Sequence, residues 1–188
     1  HGKTTTSSMI GSILTYAKKD PTLVVGGLVQ NINTNSKLGS GEIIVVEADE
    51  FDRSFLALNP TIALVNNIEL EHTDCYRDIK DLEDSFLQFC QSVPFYGSVI
   101  LNTDSESINN ILHRIERPIT TFGQSRDAAY RAENIQFNEH KSTYSLFCAE
   151  EKLGEIVLNV PGEHNVMNSL GAVTLGFELG LSFNSIIV

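Results

Sequence analysis

Apolar residues recur along the chain in two rhythms. Over residues 4–19, Met9, Ile10, Ile13, Leu14 and Ala17 fall at helical spacing. "TLVVGG" (22–27), "EIIVVEAD" (42–49), "TIALVNN" (61–67) and "SVILN" (98–102) are instead short, β-branched runs bounded by Gly-rich or polar stretches. Such runs suit strands buried on both faces, as in a parallel sheet. Between the last two, residues 78–92 place Ile79, Leu82, Phe86, Phe89 and Cys90 on one stripe, with acids at the start. That pattern predicts an amphipathic helix with favourable charge at its N-terminus. Residues 105–115 predict another helix. After Gly123 the rhythm changes, and residues from about 129 to 160 read as three strands joined by the polar turns "NEHKS" and "AEEKLG". Helical spacing returns over 162–180.

Strands alternating with helices predict an α/β fold: a mostly parallel, doubly wound sheet flanked by helices. A small antiparallel three-stranded sheet is expected to follow it. The length of 188 residues suits one domain with a substantial core. The chain starts inside a motif and stops in apolar "SIIV", so both ends read as cuts through a longer protein.

Composition narrows the partners more than the fold. A net charge of −11 argues against nonspecific nucleic-acid binding, which needs a basic face. It leaves room for a nucleotide, because phosphate sites are local arrays of N–H groups, a lysine and a metal. No apolar run approaches the ~20 residues of a membrane span. The three cysteines, Cys75, Cys90 and Cys148, are odd in number and widely spaced, which predicts reduced thiols.

The chemistry starts at the first residues. "HGKTTT" matches the end of the phosphate-binding pattern G-x-x-x-x-G-K-[ST], which sits between a strand and a helix. Gly2, Lys3, Thr4 and Thr5 would be that end, with Lys3 on the β- and γ-phosphates and the Thr4 hydroxyl on Mg²⁺. The plain alternative is a helix start with threonine caps. "IIVVEADEFD" then drives a strand into the core and delivers Glu47, Asp49, Glu50 and Asp52 at its carboxyl end. Ligands of open α/β sheets collect there, and Glu47 is the candidate metal carboxylate. Glu50 and Asp52 read as an acidic turn facing solvent.

"VNNIELEHTD" repeats the arrangement and brings His72 to a strand end among acids, as a ligand for a second cation or a phosphate partner. The chain has neither the N-K-x-D nor the D-x-x-G of a GTPase. In "PGEHNVMNSLGA", His164, Asn165 and Asn168 open a helix, and the two carboxamides lie one turn apart. Carboxamides match an adenine edge as paired donor and acceptor, whereas the plain reading is helix capping.

Together these segments resemble the central ATPase domain of the Mur ligases, the amide-forming enzymes of peptidoglycan synthesis. "HGKTTT" is similar to the end of the family's G-T-x-G-K-T-[TS]. "EADEFDRSFLALNP", "NNIELEHTDCY", "PFYG", "NSKLGSG" and "PGEHNVMNSLGA" resemble its further motifs in the expected order. The likeness is strongest to the branch that adds L-alanine. It implies ATP and Mg²⁺ as cofactors, with Lys3 on phosphate, Thr4 and Glu47 on one metal and His72 on the second. His164, Asn165 and Asn168 would contact the base region.

The implied reaction phosphorylates the lactyl carboxylate of UDP-N-acetylmuramate, and the amine of L-alanine then attacks the acyl phosphate, in the cytoplasm. The implied N-terminal UDP-binding and C-terminal domains are absent, so residues 1–188 alone are expected to fold without ligating. Phe51, Arg53 and Glu71 depart from the family pattern. The competing readings are the murein tripeptide ligases, folylpolyglutamate synthetase, a P-loop kinase and a non-catalytic nucleotide-binding module.

Overall fold

A computed structural model describes residues 1–29, 34–70 and 74–187 of the chain. Helix α1 (Lys3–Tyr16) leads into β1 (Thr22–Val29), which pairs antiparallel with β2 (Thr34–Lys37) and parallel with β3 (Ile44–Val46). A 3-10 segment (Phe51–Ala57) precedes β4 (Ile62–Val65), and α2 (Ile79–Gln91), β5 (Ser98–Asn102), α3 (Glu106–Leu112) and β6 (Ile119–Gly123) follow. Three antiparallel strands come next: β7 (Tyr130–Phe137), β8 (Ser142–Cys148) and β9 (Glu151–Leu158). Helices α4 (Glu163–Glu178) and α5 (Phe183–Ile186) complete the described chain.

The strands form two sheets, ordered β2-β1-β3 and β4-β5-β6-β7-β8-β9. β4, β5, β6 and β7 are parallel neighbours, so the expected antiparallel strands form but continue the parallel sheet through the β6–β7 pair. β6 went unread in the sequence because Thr120 and Thr121 interrupt its apolar run. The strand expected over 42–49 is regular only at 44–46; beyond Val46 the chain turns away to bring its acids to the sheet's carboxyl end.

Two apolar layers sandwich the sheets. On one face α1 and α4 pack on each other and on Ile100, Phe122 and Tyr144. On the other, α2 and α3 cover Val65, Val99 and Leu101. α2 starts cleanly because the Asp78 carboxylate accepts the Asp81 N–H at 2.8 Å, a side-chain N-cap. No helix among the described residues is long and apolar enough to cross a membrane.

Candidate functional site

α1 begins at the carboxyl ends of β1, β3 and β4, and the site is assembled around its first turn. Gly2 takes a left-handed conformation (φ 76°, ψ 2°) that a side chain would resist, and no side chain caps the helix. The first intrahelical bond is Thr6 N–H to Gly2 O, 2.9 Å. The N–H groups of Lys3, Thr4 and Thr5 therefore have no acceptor within the helix. Such a start, with its partial positive charge, suits an anion.

Thr4 and Glu47 come together as the sequence predicted. The Thr4 hydroxyl donates to Glu47 Oε1 at 2.9 Å, and the Gly26 N–H donates to Glu47 Oε2 at 2.7 Å. The half-buried carboxylate is thereby fixed in direction. Gly26 and Gly27 lie inside β1 rather than ending it. A Cβ on Gly27 would stand 3.0 Å from Thr4 Cγ2, so the glycines let β1 approach α1 closely. The double glycine was the sequence signal for this approach.

Lys3 reaches the other acids. Its Nζ lies 2.5 Å from Glu50 Oε2 and 3.2 Å from Asp49 Oδ1. Burial pulls its pKa down, but the bond and charge of Glu50, then Asp49, outweigh this and raise it above 10.5. Glu50 is thus not the solvated acid the sequence suggested: its side chain is only 15% exposed because Lys3 draws it inward. Asp52 is exposed, as expected.

The acidic segment is held by residues that sequence reasoning did not assign. Asp52 and Arg53 are successive non-glycine residues at positive φ, 55° and 57°, a conformation that costs about 1–2 kcal/mol each. Arg53 compensates by bonding Asp81 Oδ2 (2.7 Å) and Ser85 Oγ (3.0 Å) on α2, and Cys75 O (3.3 Å) in the segment ahead of it. Its guanidinium also stacks 4.8 Å from the Tyr76 ring, and the Tyr76 hydroxyl donates to Glu50 O at 2.5 Å. The Arg77 N–H and then Arg53 hold the Asp81 carboxyl down at about 2. The one hint in the sequence was Arg53's departure from the family pattern.

On α4 the three predicted base contacts separate. His164 is exposed, and half-buried Asn165 donates to Pro161 O at 2.7 Å. Asn168 is buried, accepts from Asn66 Nδ2 at 3.2 Å, and presses on the loop: a Cβ on Gly2 would lie 2.2 Å from its Oδ1. Asn66 also donates to Thr6 Oγ1 at 2.6 Å, tying the end of β4 to both helices. His72, with Glu71, lies outside the described residues.

Two cavities flank the start of α1. One, about 770 Å³, lies between β3 and β4 and carries Lys3, Glu47 and Glu50 at its lining. The other, about 730 Å³, lies between α1, β9 and α4 and is lined by Thr4, Thr5, Ser8 and Asn165 among others. The donor set fits Mg²⁺·nucleotide: a hydroxyl and a carboxylate in contact, a lysine, and unpaired N–H groups. No cluster of three His, Cys, Asp or Glu suited to a metal occurs among the described residues. Mg²⁺ fits such a site, because it is commonly held by one or two carboxylates, phosphates and water.

Residues 1–176 match the model of the Mur ligase middle domain. The chain is 48% identical over 186 residues to the UDP-N-acetylmuramate–L-alanine ligase of Desulforapulum autotrophicum, covering 99% of this chain and 41% of that one. It is 46% identical to the enzyme of that name from Syntrophobacter fumaroxidans, covering 99% and 40%. Its fold is similar to UDP-N-acetylmuramate:L-alanyl-gamma-D-glutamyl-meso-diaminopimelate ligase from Neisseria meningitides, with TM-score 0.87 and 24% identity, over 99% of this chain and 61% of that one. The chain thus spans about two fifths of the length of the curated relatives it matches.

Proposed function

The chain belongs to the Mur ligase middle domain family, and from that premise we propose that it is the ATP-handling core of an enzyme joining L-alanine to UDP-N-acetylmuramate. One observation carries this reading. Thr4 and Glu47 meet at 2.9 Å beside the uncapped start of α1, where Lys3 also lies.

In this reading the N–H groups of Lys3, Thr4 and Thr5 bind the phosphates, and Lys3 leaves Glu50 for them. Thr4 and Glu47 hold Mg²⁺, which neutralises phosphate charge when bound. Gly26 and Thr4 keep the Glu47 carboxylate aimed at that position. Asn165, with His164 beside it, serves the base region from the cleft between α1 and α4, whereas Asn168 braces the phosphate loop against Asn66. His72 supplies the second metal position. The work of these residues is to hold two anions, a carboxylate and a triphosphate, close enough to react, which is electrostatic positioning. A cytoplasmic setting accords with the free thiols of Cys75, Cys90 and Cys148.

The test is ADP release by a protein of the relatives' length, given Mg·ATP and UDP-N-acetylmuramate with L-alanine, L-serine, glycine or the stem tripeptide. Turnover that depends on L-alanine is expected, and Lys3→Ala or Glu47→Ala should each lower it by about 100-fold or more. Turnover only with tripeptide would reassign the substrate. Unchanged turnover in both variants would remove Lys3 and Glu47 from the site.

A further inference from the structure

Two carboxylates face the first turn of α1, and they are held by opposite means. Glu47 bonds to neutral groups, the Thr4 hydroxyl and the Gly26 N–H, which leaves its charge for a metal. Glu50 bonds to an ammonium: Lys3 Nζ donates to its Oε2 at 2.5 Å. Charge-assisted bonds of this kind are the strong ones. The Glu50 side of the pair is also largely shielded from water. A phosphate that needs Lys3 must therefore displace a carboxylate from it, not water alone.

Glu50 is fixed from behind as well. Its carbonyl oxygen accepts the hydroxyl of buried Tyr76 at 2.5 Å and the Arg53 N–H at 3.1 Å. One residue earlier, Asp49 O accepts the Phe55 N–H at 3.2 Å and the Ser54 hydroxyl at 3.1 Å. Phe55 is itself buried against the rings of Phe86 and Phe89, at 5.1 and 5.2 Å. The backbone of the acidic segment is thus pinned while its side chains are not. Glu50 releases Lys3 by rotating about its own side-chain bonds, and it finds the same place on return.

We infer that Glu50 is a positioning residue that competes with the nucleotide for Lys3, yielding the ammonium to the β- and γ-phosphates and taking it back as the product leaves. The inference rests on the reading of α1 as a phosphate site, and it gives a task to an acid which that site does not otherwise use. Before binding, the pair keeps Lys3 beside the start of α1. A triphosphate offers enough oxygen charge at Nζ to replace the carboxylate. In the diphosphate product Lys3 faces fewer phosphate oxygens, and the waiting Glu50 shifts the balance towards release. The residue thereby lowers nucleotide affinity and hastens the step that limits many enzymes, departure of product.

The test compares the native protein, at its relatives' length, with Glu50→Gln by calorimetric titration of Mg·ATP, Mg·ADP and AMP and by stopped-flow release of ADP. Glu50→Gln should bind Mg·ATP and Mg·ADP about 3- to 10-fold more tightly, and release ADP more slowly by the same factor, the range for a partly shielded ion pair. AMP carries neither the β- nor the γ-phosphate and should bind both proteins equally. That control separates the contact with Lys3 from a general loss of negative charge. Tyr76→Phe keeps the ring beside Arg53 but frees the Glu50 carbonyl, so it should shift ATP and ADP affinity the same way by a smaller factor. A variant that merely loosened the fold would bind more weakly. Unchanged or weaker binding of Mg·ADP by Glu50→Gln, or equal tightening of AMP, would overturn the inference and leave the phosphate site standing. Native protein that bound neither Mg·ATP nor Mg·ADP would overturn both.

Discussion

Replacing Gly2 with alanine is the sharpest test of how the phosphate loop is held. Two costs fall on the new methyl. The left-handed backbone at φ 76° costs a non-glycine residue about 1–2 kcal/mol. The Cβ would also stand 2.2 Å from Asn168 Oδ1 and 2.9 Å from its Cγ, so the carboxamide must move. That motion gives up its 3.2 Å bond to Asn66, worth about 1 kcal/mol.

Together the costs reach about 2–3 kcal/mol, or about 30- to 150-fold in nucleotide affinity at about 1.4 kcal/mol per factor of ten. Gly2 lies ahead of α1, so the strain is relieved by unwinding one turn, and the melting temperature should barely change. Asn168→Ala alone removes only the Asn66 bond and should cost about fivefold. In the double variant the alanine at 2 has room, and the bond is lost only once, so the two effects should fall short of additive by about 1 kcal/mol. Calorimetric titration of Mg·ATP into the four proteins measures this directly. Additivity within about 0.3–0.5 kcal/mol would refute the contact as the reason for glycine.

Three further outcomes are expected. Arg53→Ala should lower the melting temperature by about 2–4 °C, for a loss of about 1 kcal/mol from a partly exposed cluster, and Arg53→Lys should recover little because it lacks the planar fork. The Asp81 carboxyl titrates at about 2 in the fold against an ordinary 3.8, so its contribution is complete above pH 3.8 and lost as pH falls towards 2. The melting-temperature gap between the native protein and Asp81→Asn should therefore close over that window in a pH series. Cys90 is fully buried and pushed up to about 12, so a thiol reagent should modify it only in denaturant, while partly exposed Cys75 and Cys148 react with the folded protein. Labelling of Cys90 in native buffer would contradict the packing of α2.

The sequence was most legible where one periodicity extended over many residues. α1, α2 and α4 lie within three residues of the ranges that helical spacing predicted, and β5 matches at both ends. It was least legible in short strands whose side chains do not advertise burial. Thr120 and Thr121 in β6 and "TNSK" in β2 are strands because neighbours pair with them, which no local pattern encodes. The site divides the same way. Lys3, Thr4 and Glu47 were readable because motif and strand end both point to one place. Glu50 was not, because its inward turn depends on two left-handed residues and on Tyr76 and Arg53 gripping the segment from outside. Asn168 carries a helix-start motif yet faces Gly2, since Asn66 captures its carbonyl oxygen.

The antiparallel continuation of the sheet has a consequence for how the molecule comes to be folded. β7, β8 and β9 are joined by short turns, so Phe137 meets Ser142 and Cys148 meets Glu151 almost as soon as each turn closes. The parallel half has no such shortcut: Ile62 must find Ser98, and Thr22 must find Ile44, across intervening chain. Loop-closure entropy therefore favours the 130–158 meander as the first part of the sheet to form. Its free edge at Tyr130 and Arg131 then offers a ready template for Phe122 and Gly123. On that order, mutations in the meander slow folding, whereas mutations around the phosphate loop chiefly speed unfolding. The parallel pairings that gather Lys3, Thr4 and Glu47 are thus made after the local hairpins.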